Sequence, residues 1–147
     1  MVWTERVEPK GRVLRLVTAV HRSVYRRSGG RLLTRGRGKP VLLLTTTGRR
    51  SGRSRTVPLP YLPDGDALVV VASNSGSDRH PAWYHNLVAD PAVTLQVGRR
   101  HLAARAEVVA GGERADLWAR LVAGAPWYDT YQAGTSREIP LVRLVEA

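Results

Sequence analysis

The chain contains no cysteine. Disulfides, cysteine nucleophiles and thiolate metal sites are therefore excluded. Lysine occurs only at Lys10 and Lys39. No apolar run approaches the roughly 18–20 residues that would span a bilayer. The opening Met1-Val2-Trp3-Thr4-Glu5-Arg6 has no unbroken apolar core with a cleavage site, so no signal peptide is expected and a cytoplasmic setting is the default. No internal repeat and no low-complexity linker divides the sequence. Acidic residues are scarce: 12 Asp+Glu face 23 Lys+Arg, a formal net charge of +11 over 147 residues.

What is present points to a folded, cation-rich domain. An apolar fraction of 43% is ordinary for a globular chain and too high for a disordered one. The length suits one compact domain. The basic excess implies an anionic partner: nucleic acid, anionic lipid, or a phosphorylated or polycarboxylate small molecule. Because the excess is almost all arginine, a planar fork for phosphate and carboxylate is available throughout. A genome that favours arginine codons would raise the total as well, so clustering is the better guide. Residues 48–55, Gly-Arg-Arg-Ser-Gly-Arg-Ser-Arg, are the dense cluster.

Residues 11–28 read as a basic amphipathic helix. Val13, Leu16, Val17, Val20 and Val24 recur at helical spacing, with Arg12, Arg15, Arg22 and Arg26 elsewhere on the wheel. Such a helix suits either peripheral contact with an anionic membrane or packing on its own domain. A Gly/Arg-rich connector follows over 29–40. Strands are expected at Val41–Thr47, Thr56–Leu62, Ala67–Ala72, Val93–Val97, Leu102–Val109 and Ile139–Val145. Pro58 and Pro60 remove ladder donors and place their strand at an edge or bulge. Pro63–Asp66 and Gly98–His101 read as hairpin turns. Helices are expected from Pro81 to Ala89 and over about 113–123, and Ala125–Thr135 reads as an aromatic loop. Six strands in long antiparallel runs, with helices that do not alternate with them, argue for a β-barrel of the α+β class.

Three constellations could carry chemistry. The first is Thr46-Thr47-Gly48-Arg49-Arg50-Ser51-Gly52 between two strands. Its glycines permit tight turns whose N–H groups converge on an anion, and Arg49, Arg50 and Arg55 add charge-assisted bonds of roughly 1.5–3 kcal/mol each. It is not a P-loop, since the GK[ST] triplet and following helix are missing. The bland alternative is a solvated basic turn. The second is Ala72-Ser73-Asn74-Ser75-Gly76 followed by Pro81-Ala82-Trp83-Tyr84-His85-Asn86-Leu87, where small residues at a strand end would let a flat ring approach. Trp83 and Leu87, four apart, read equally as core. The third is Trp127-Tyr128-Asp129-Thr130-Tyr131, whose two tyrosines could donate to a substrate oxygen that becomes negative, or could simply pack. His21, His80, His85 and His101 are scattered without zinc spacing, and Ser54, Ser73 and Ser75 lack triad partners.

These motifs, with Pro58-Leu59 and Ile139-Pro140, resemble the deazaflavin-dependent nitroreductase and quinone reductase family over about residues 30–145. The resemblance implies a split β-barrel of about six mostly antiparallel strands over 31–147, with the amphipathic helix in 1–30 and two further helices. It implies coenzyme F420, whose flat tricycle carries a phosphodiester and an oligoglutamate tail. Arg49, Arg50 and Ser51 would hold the phosphate and tail. Arg55, Thr56, Val57, Pro58, Leu59 and Pro60 would run along the coenzyme. Val71, Ala72, Ser73 and Asn74 would line the ring, and Ala82, Trp83, Tyr84, His85 and Asn86 would close the site. Tyr128, Tyr131 and Ser73 would act on the acceptor, with Tyr128 also touching the coenzyme. Arg50 and Asn74 stand where the family commonly has Lys, and Pro60 where relatives often carry Tyr; Tyr61 beside it should point to the opposite face. Ala125 replaces a third tyrosine, so nitroimidazole reduction is not implied. The expected activity is reduction of an electron-poor acceptor such as a quinone or nitro compound by F420H2, with a quinone the leading class, without metal or nucleic acid. The rivals are an FMN reductase on a similar barrel, a coenzyme carrier without chemistry, and a basic nucleic-acid-binding barrel. Against the last, the aromatics cluster in loops instead of interleaving with arginine on one sheet face.

Overall fold

The computed structural model describes residues 20, 22, 23, 25, 26, 35, 36 and 38–147. The expected helix at 11–28 and connector at 29–40 fall largely outside these residues. Of the helix, Val20, Arg22, Ser23, Tyr25 and Arg26 are helical.

Eight strands and three helices follow in the described residues: β1 (Arg35–Gly36), β2 (Lys39–Thr47), β3 (Ser54–Pro60), β4 (Leu62–Asp64), β5 (Ala67–Val71), α1 (Ala82–Ala89), β6 (Ala92–Val97), β7 (Arg100–Val109), α2 (Gly111–Gly124), α3 (Trp127–Ala133) and β8 (Leu141–Glu146). Every strand pairing is antiparallel. The six expected strands thus become eight. One addition is short and lies in the connector. The other arises because Thr56–Leu62 changes partner at Tyr61: Tyr61 N still donates to Pro40 O at 3.0 Å, in register with β2, and Leu62 then pairs with Val69 of β5.

That switch shapes the molecule. The order is β1-β2-β6-β7-β8-β5-β4, with β3 also pairing β2, and β3 and β4 are separated by one residue. One extended segment therefore serves both ends of the sheet, and the sheet must curl into a barrel-like form. β3 pairs only with β2, as the two prolines require.

Period-two alternation then separates two cores. Leu42, Leu44, Val70, Ala72, Trp83, Leu87, Val142 and Leu144 fill the inside of the curl. Val69, Val71, Leu117, Leu121, Tyr128, Ile139 and Leu141 form a second layer under α2 and α3. Each fully buried Leu or Val contributes about 1.5–3 kcal/mol. β2 is buried on both faces over Val41–Leu44, as its unbroken apolar run requires.

Two expectations are corrected at the helices. Ala125–Thr135 is not a loop: α3 occupies most of it, so three helices follow the N-terminal one instead of two. Pro126, at φ −64°, leads the chain into α3 without needing an N–H donor. The helix expected over about 113–123 is α2, and it begins earlier, at Gly111 and Gly112.

The helical residues near the N-terminus dock on the barrel. Tyr25 is fully buried, and its hydroxyl accepts a hydrogen bond from Gly98 N at 2.7 Å and donates to Gln96 O at 3.4 Å. Arg22 donates to Thr56 O and Arg26 to Thr56 Oγ1. Among the described residues no helix is long and apolar enough to cross a membrane.

Candidate functional site

The turn between β2 and β3 is braced from inside. Gly48 N donates to Arg53 O at 2.7 Å, Gly52 N to Gly48 O at 2.8 Å, and Arg53 N to Ser51 Oγ at 3.2 Å. Gly52 sits at φ +69°, where a side chain would be strained. A Cβ on Gly48 would fall 2.7 Å from Ser51 Oγ and 3.1 Å from Arg53 O, with Arg55 Nε close behind. The turn thus folds as a small cradle around a bare backbone. Arg49, Arg50, Arg53 and Arg55 are all exposed on it. Among the described residues, no carboxylate pairs with any of them. Four guanidinium groups without a carboxylate partner among the described residues, on one braced turn, are the kind of donor set that phosphate or carboxylate accepts from.

Asn86, buried in α1, fixes this cradle to the barrel. Its Oδ1 accepts from Arg49 N at 3.1 Å and its Nδ2 donates to Thr46 Oγ1 at 3.1 Å. The expected coenzyme contact at Asn86 is thus, on the geometry, first a support for the loop.

The end of β5 forms the second part. Ala72 is fully buried, with its N–H on Pro140 O at 2.9 Å. Ser73 is half-buried, and its side chain makes no capping bond. The chain then turns through Asn74 (φ +46°), Ser75 (φ +55°) and Gly76 (φ +80°). Asn74 is exposed and donates through Nδ2 to Arg79 O. α3 closes over this turn: a Cβ on Gly76 would lie 3.1 Å from Tyr131 Cδ1. Tyr128 and Tyr131 meet edge to face at 6.0 Å between centroids. Tyr131 is half-buried, whereas Tyr128 is buried in the outer core.

The structure connects all three constellations. The arginine turn meets α1 through Asn86, and the β5 end meets α3 through Gly76. Other expected residues divide along the strand period. Val57 and Leu59 pack toward the inner core. Thr56 is buried beside Thr45, with 2.8 Å between their hydroxyls. Pro58 is half-buried on the same edge strand. Pro60 and Tyr128 line one shallow hollow, and Tyr61, which also lines it, packs on the inner core. Trp83 is buried with Leu87 in the inner core, so its indole is chiefly a packing element. Val71 belongs to the outer core. Ala82 is exposed at the start of α1, while Tyr84 and His85 are half-buried around His80.

Sequence reasoning missed Arg137. Its guanidinium donates to Ala72 O, Ser73 O and Ser77 O, at 3.2, 2.8 and 2.8 Å, and contacts His80 Nδ1 at 2.9 Å. Nothing local marks this arginine out in a chain so rich in them. Gln132, also missed, holds the segment by donating to Arg137 O and accepting from Ile139 N.

Comparison with known proteins decides the family. The model of the F420H(2)-dependent quinone reductase family matches residues 17–146. The chain belongs to the F420H(2)-dependent quinone reductase family. The F420H(2)-dependent quinone reductase Rv1261c of Mycobacterium tuberculosis is 42% identical over 129 residues, covering 85% of this chain and 87% of that protein. A solved F420-H2-dependent reductase, FDR-A, superimposes with a TM-score of 0.66 at 39% identity, covering 71% of this chain and 93% of the other. A second solved structure, a domain-swapped dimer, gives 0.68 at 33% identity over 90% of this chain and 97% of the other. As an F420H(2)-dependent quinone reductase family member, the chain is an oxidoreductase with F420 as its coenzyme, and its curled antiparallel sheet is consistent with a split barrel.

Proposed function

We propose that this reductase grips the anionic half of F420 with the β2–β3 turn, presents the end of β5 to the deazaflavin ring, and reduces an electron-poor acceptor of the quinone class. The carrying observation is the set of four exposed arginines, none paired with a carboxylate among the described residues, on a cradle that Asn86 ties to the rest of the site. Phosphate and oligoglutamate need such donors and no metal. The donor set therefore fits the coenzyme, with Arg49, Arg50, Ser51 and Arg55 holding it. The Lys-to-Arg difference at Arg50 retains charge and adds a planar fork.

When bound, reduced F420 supplies the hydride. The chain's own work is positioning and proton supply. Ser73, small and half-buried where β5 ends beyond the buried Ala72, offers the place where a ring would approach to about 3–3.5 Å, where much of the acceleration by proximity is gained. Tyr131, whose near side packs on the β5 turn, would donate its Oη proton to an acceptor oxygen as charge develops there. Ser73 Oγ, without a capping bond, is a second donor. Tyr128 orients Tyr131 through the edge-to-face contact. Arg22, Tyr25 and Arg26 face the barrel, so a membrane contact through the N-terminal helix would have to use its other residues.

Titration with purified F420, followed by anaerobic turnover of menadione with F420H2, tests this reading. The double substitution Arg50→Ala/Arg55→Ala should weaken coenzyme binding by about 2–5 kcal/mol if both charge-assisted bonds are made. Unchanged affinity would remove the turn from the site. Binding of FMN with no response to F420 would overturn the coenzyme.

A further inference from the structure

We propose that Arg137 is a positioning residue of this site: its guanidinium staples both ends of the left-handed turn Asn74–Gly76, and His80 completes the staple only while its Nδ1 is unprotonated. The inference rests on the reading that the β5 end faces the coenzyme ring.

Asn74, Ser75 and Gly76 all have positive φ. Two of the three carry a side chain, and the left-handed region disfavours each by roughly 1–2 kcal/mol. Such a turn persists only where its surroundings hold it. Arg137 does so from both sides. NH2 donates to Ser73 O before the turn and Nε donates to Ser77 O after it. NH1 reaches Ala72 O, the last buried residue of the strand end. Three carbonyls, two before the turn and one after it, are thus met by one rigid, planar group, a geometry that a lysine ammonium cannot reproduce. The turn in turn seats Tyr131, because Gly76 lies directly against that ring. Gln132, the residue after Tyr131, binds the Arg137 carbonyl, so staple and tyrosine are built as one unit.

His80 gives the staple a chemical condition. A guanidinium has donors and no acceptor, so the 2.9 Å contact requires a lone pair on Nδ1 and places the ring proton on Nε2. Protonation would set a donor against a donor and a cation beside a cation. The groups around His80 do not relieve this. Tyr84 and His85 from α1 lie at 4.6 and 5.6 Å between ring centroids. Asp78 accepts from Thr135 Oγ1 and acts on Arg137 instead. Burial, then the Arg137 and His85 charges, hold His80 below its ordinary titration range.

Two measurements test the proposal. In the coenzyme-free protein, amide hydrogen exchange is followed over residues 72–77 for the wild type, Arg137→Lys and His80→Gln. In the holoenzyme, kcat and KM for menadione are followed against pH. Arg137→Lys should lose at least tenfold protection in this segment and at least tenfold in kcat, with little change in KM. Wild-type protection there should fall on acidification below the ordinary histidine range, together with kcat. His80→Gln, whose amide oxygen accepts without titrating, should keep activity and lose that acid limb. Unchanged exchange and kcat in Arg137→Lys would overturn the staple, and an acid limb that survives His80→Gln would overturn the histidine condition. If Arg137→Lys does not fold, the pH dependence of wild-type protection still decides. Failure of the wild type to bind F420 would strike the coenzyme reading and leave the exchange result to judge the staple alone.

Discussion

Single side chains in this protein do most of their work by joining elements. Asn86 is the clearest case. It is buried, yet both ends of its amide are matched, one to the backbone of the arginine turn and one to a strand hydroxyl. Replacing it by leucine conserves shape and removes both bonds, leaving Arg49 N and Thr46 Oγ1 without their partner. The expected cost is about 1–3 kcal/mol, read from the urea midpoint. F420 affinity should fall as well, although the leucine touches no arginine side chain, because the turn loses its tether. Normal affinity in a destabilised protein would show that the turn holds its shape without α1. Serine and threonine follow the same logic at smaller scale: Ser51 closes the turn on Arg53 N, and Thr135 ties Asp78 to the end of α3.

At the level of elements, the strands were legible because alternation and turn chemistry are local. Gly98 at φ +60° and Gly65 at φ +59° sit in the two hairpins expected from their sequences. The double burial of β2 was written in four consecutive apolar residues. What was not legible depends on contacts distant in sequence. The division at Tyr61 follows from a change of partner, from β2 before it to β5 after it. α3 has only seven residues, too few to show a helical period, and owes its shape to burying Tyr128 against α2 and β5. The arginine turn could be read from its composition, whereas the Arg137 staple spans about 60 residues and leaves no local pattern. The docking of the N-terminal helical residues is likewise a tertiary event that hydrophobic periodicity leaves open. It hinges on Tyr25, whose phenol is pushed above its usual pKa by burial. Tyr25→Phe keeps the ring and removes the oxygen that accepts from Gly98 N. A loss of about 1–2 kcal/mol in unfolding free energy is expected, with faster exchange at that turn amide. Full stability in the phenylalanine variant would mean the ring alone docks this segment.

Across the whole molecule, an excess of eleven positive charges makes acid the natural enemy of the fold, since every added proton increases self-repulsion. Two groups give that tendency structure. His80 is held below its ordinary pKa, so the unfolded chain binds its proton first as pH falls. Stability is therefore full above the ordinary histidine value and declines as pH drops from there toward the folded one. Asp64 acts in a lower window. Its carboxylate accepts from Arg120 at 3.0 Å and Arg143 at 3.2 Å, and Arg143 also binds Glu113, which links β4, α2 and β8. Hydrogen bonding from Arg120, aided by Arg143, lowers the Asp64 pKa. Its contribution persists above the usual carboxylate range and is lost only as pH falls through its depressed folded value. Urea midpoints between pH 8 and pH 3 should therefore fall in two separated windows. His80→Gln should flatten the upper one and leave the lower, while Asp64→Asn should reduce the lower and leave the upper. Exposed ion pairs of this kind are worth little singly, so the second step should be shallow and should shrink further in high salt, where the upper step, set by burial, largely remains. A single decline that neither substitution changes would show that diffuse charge alone governs the acid limb.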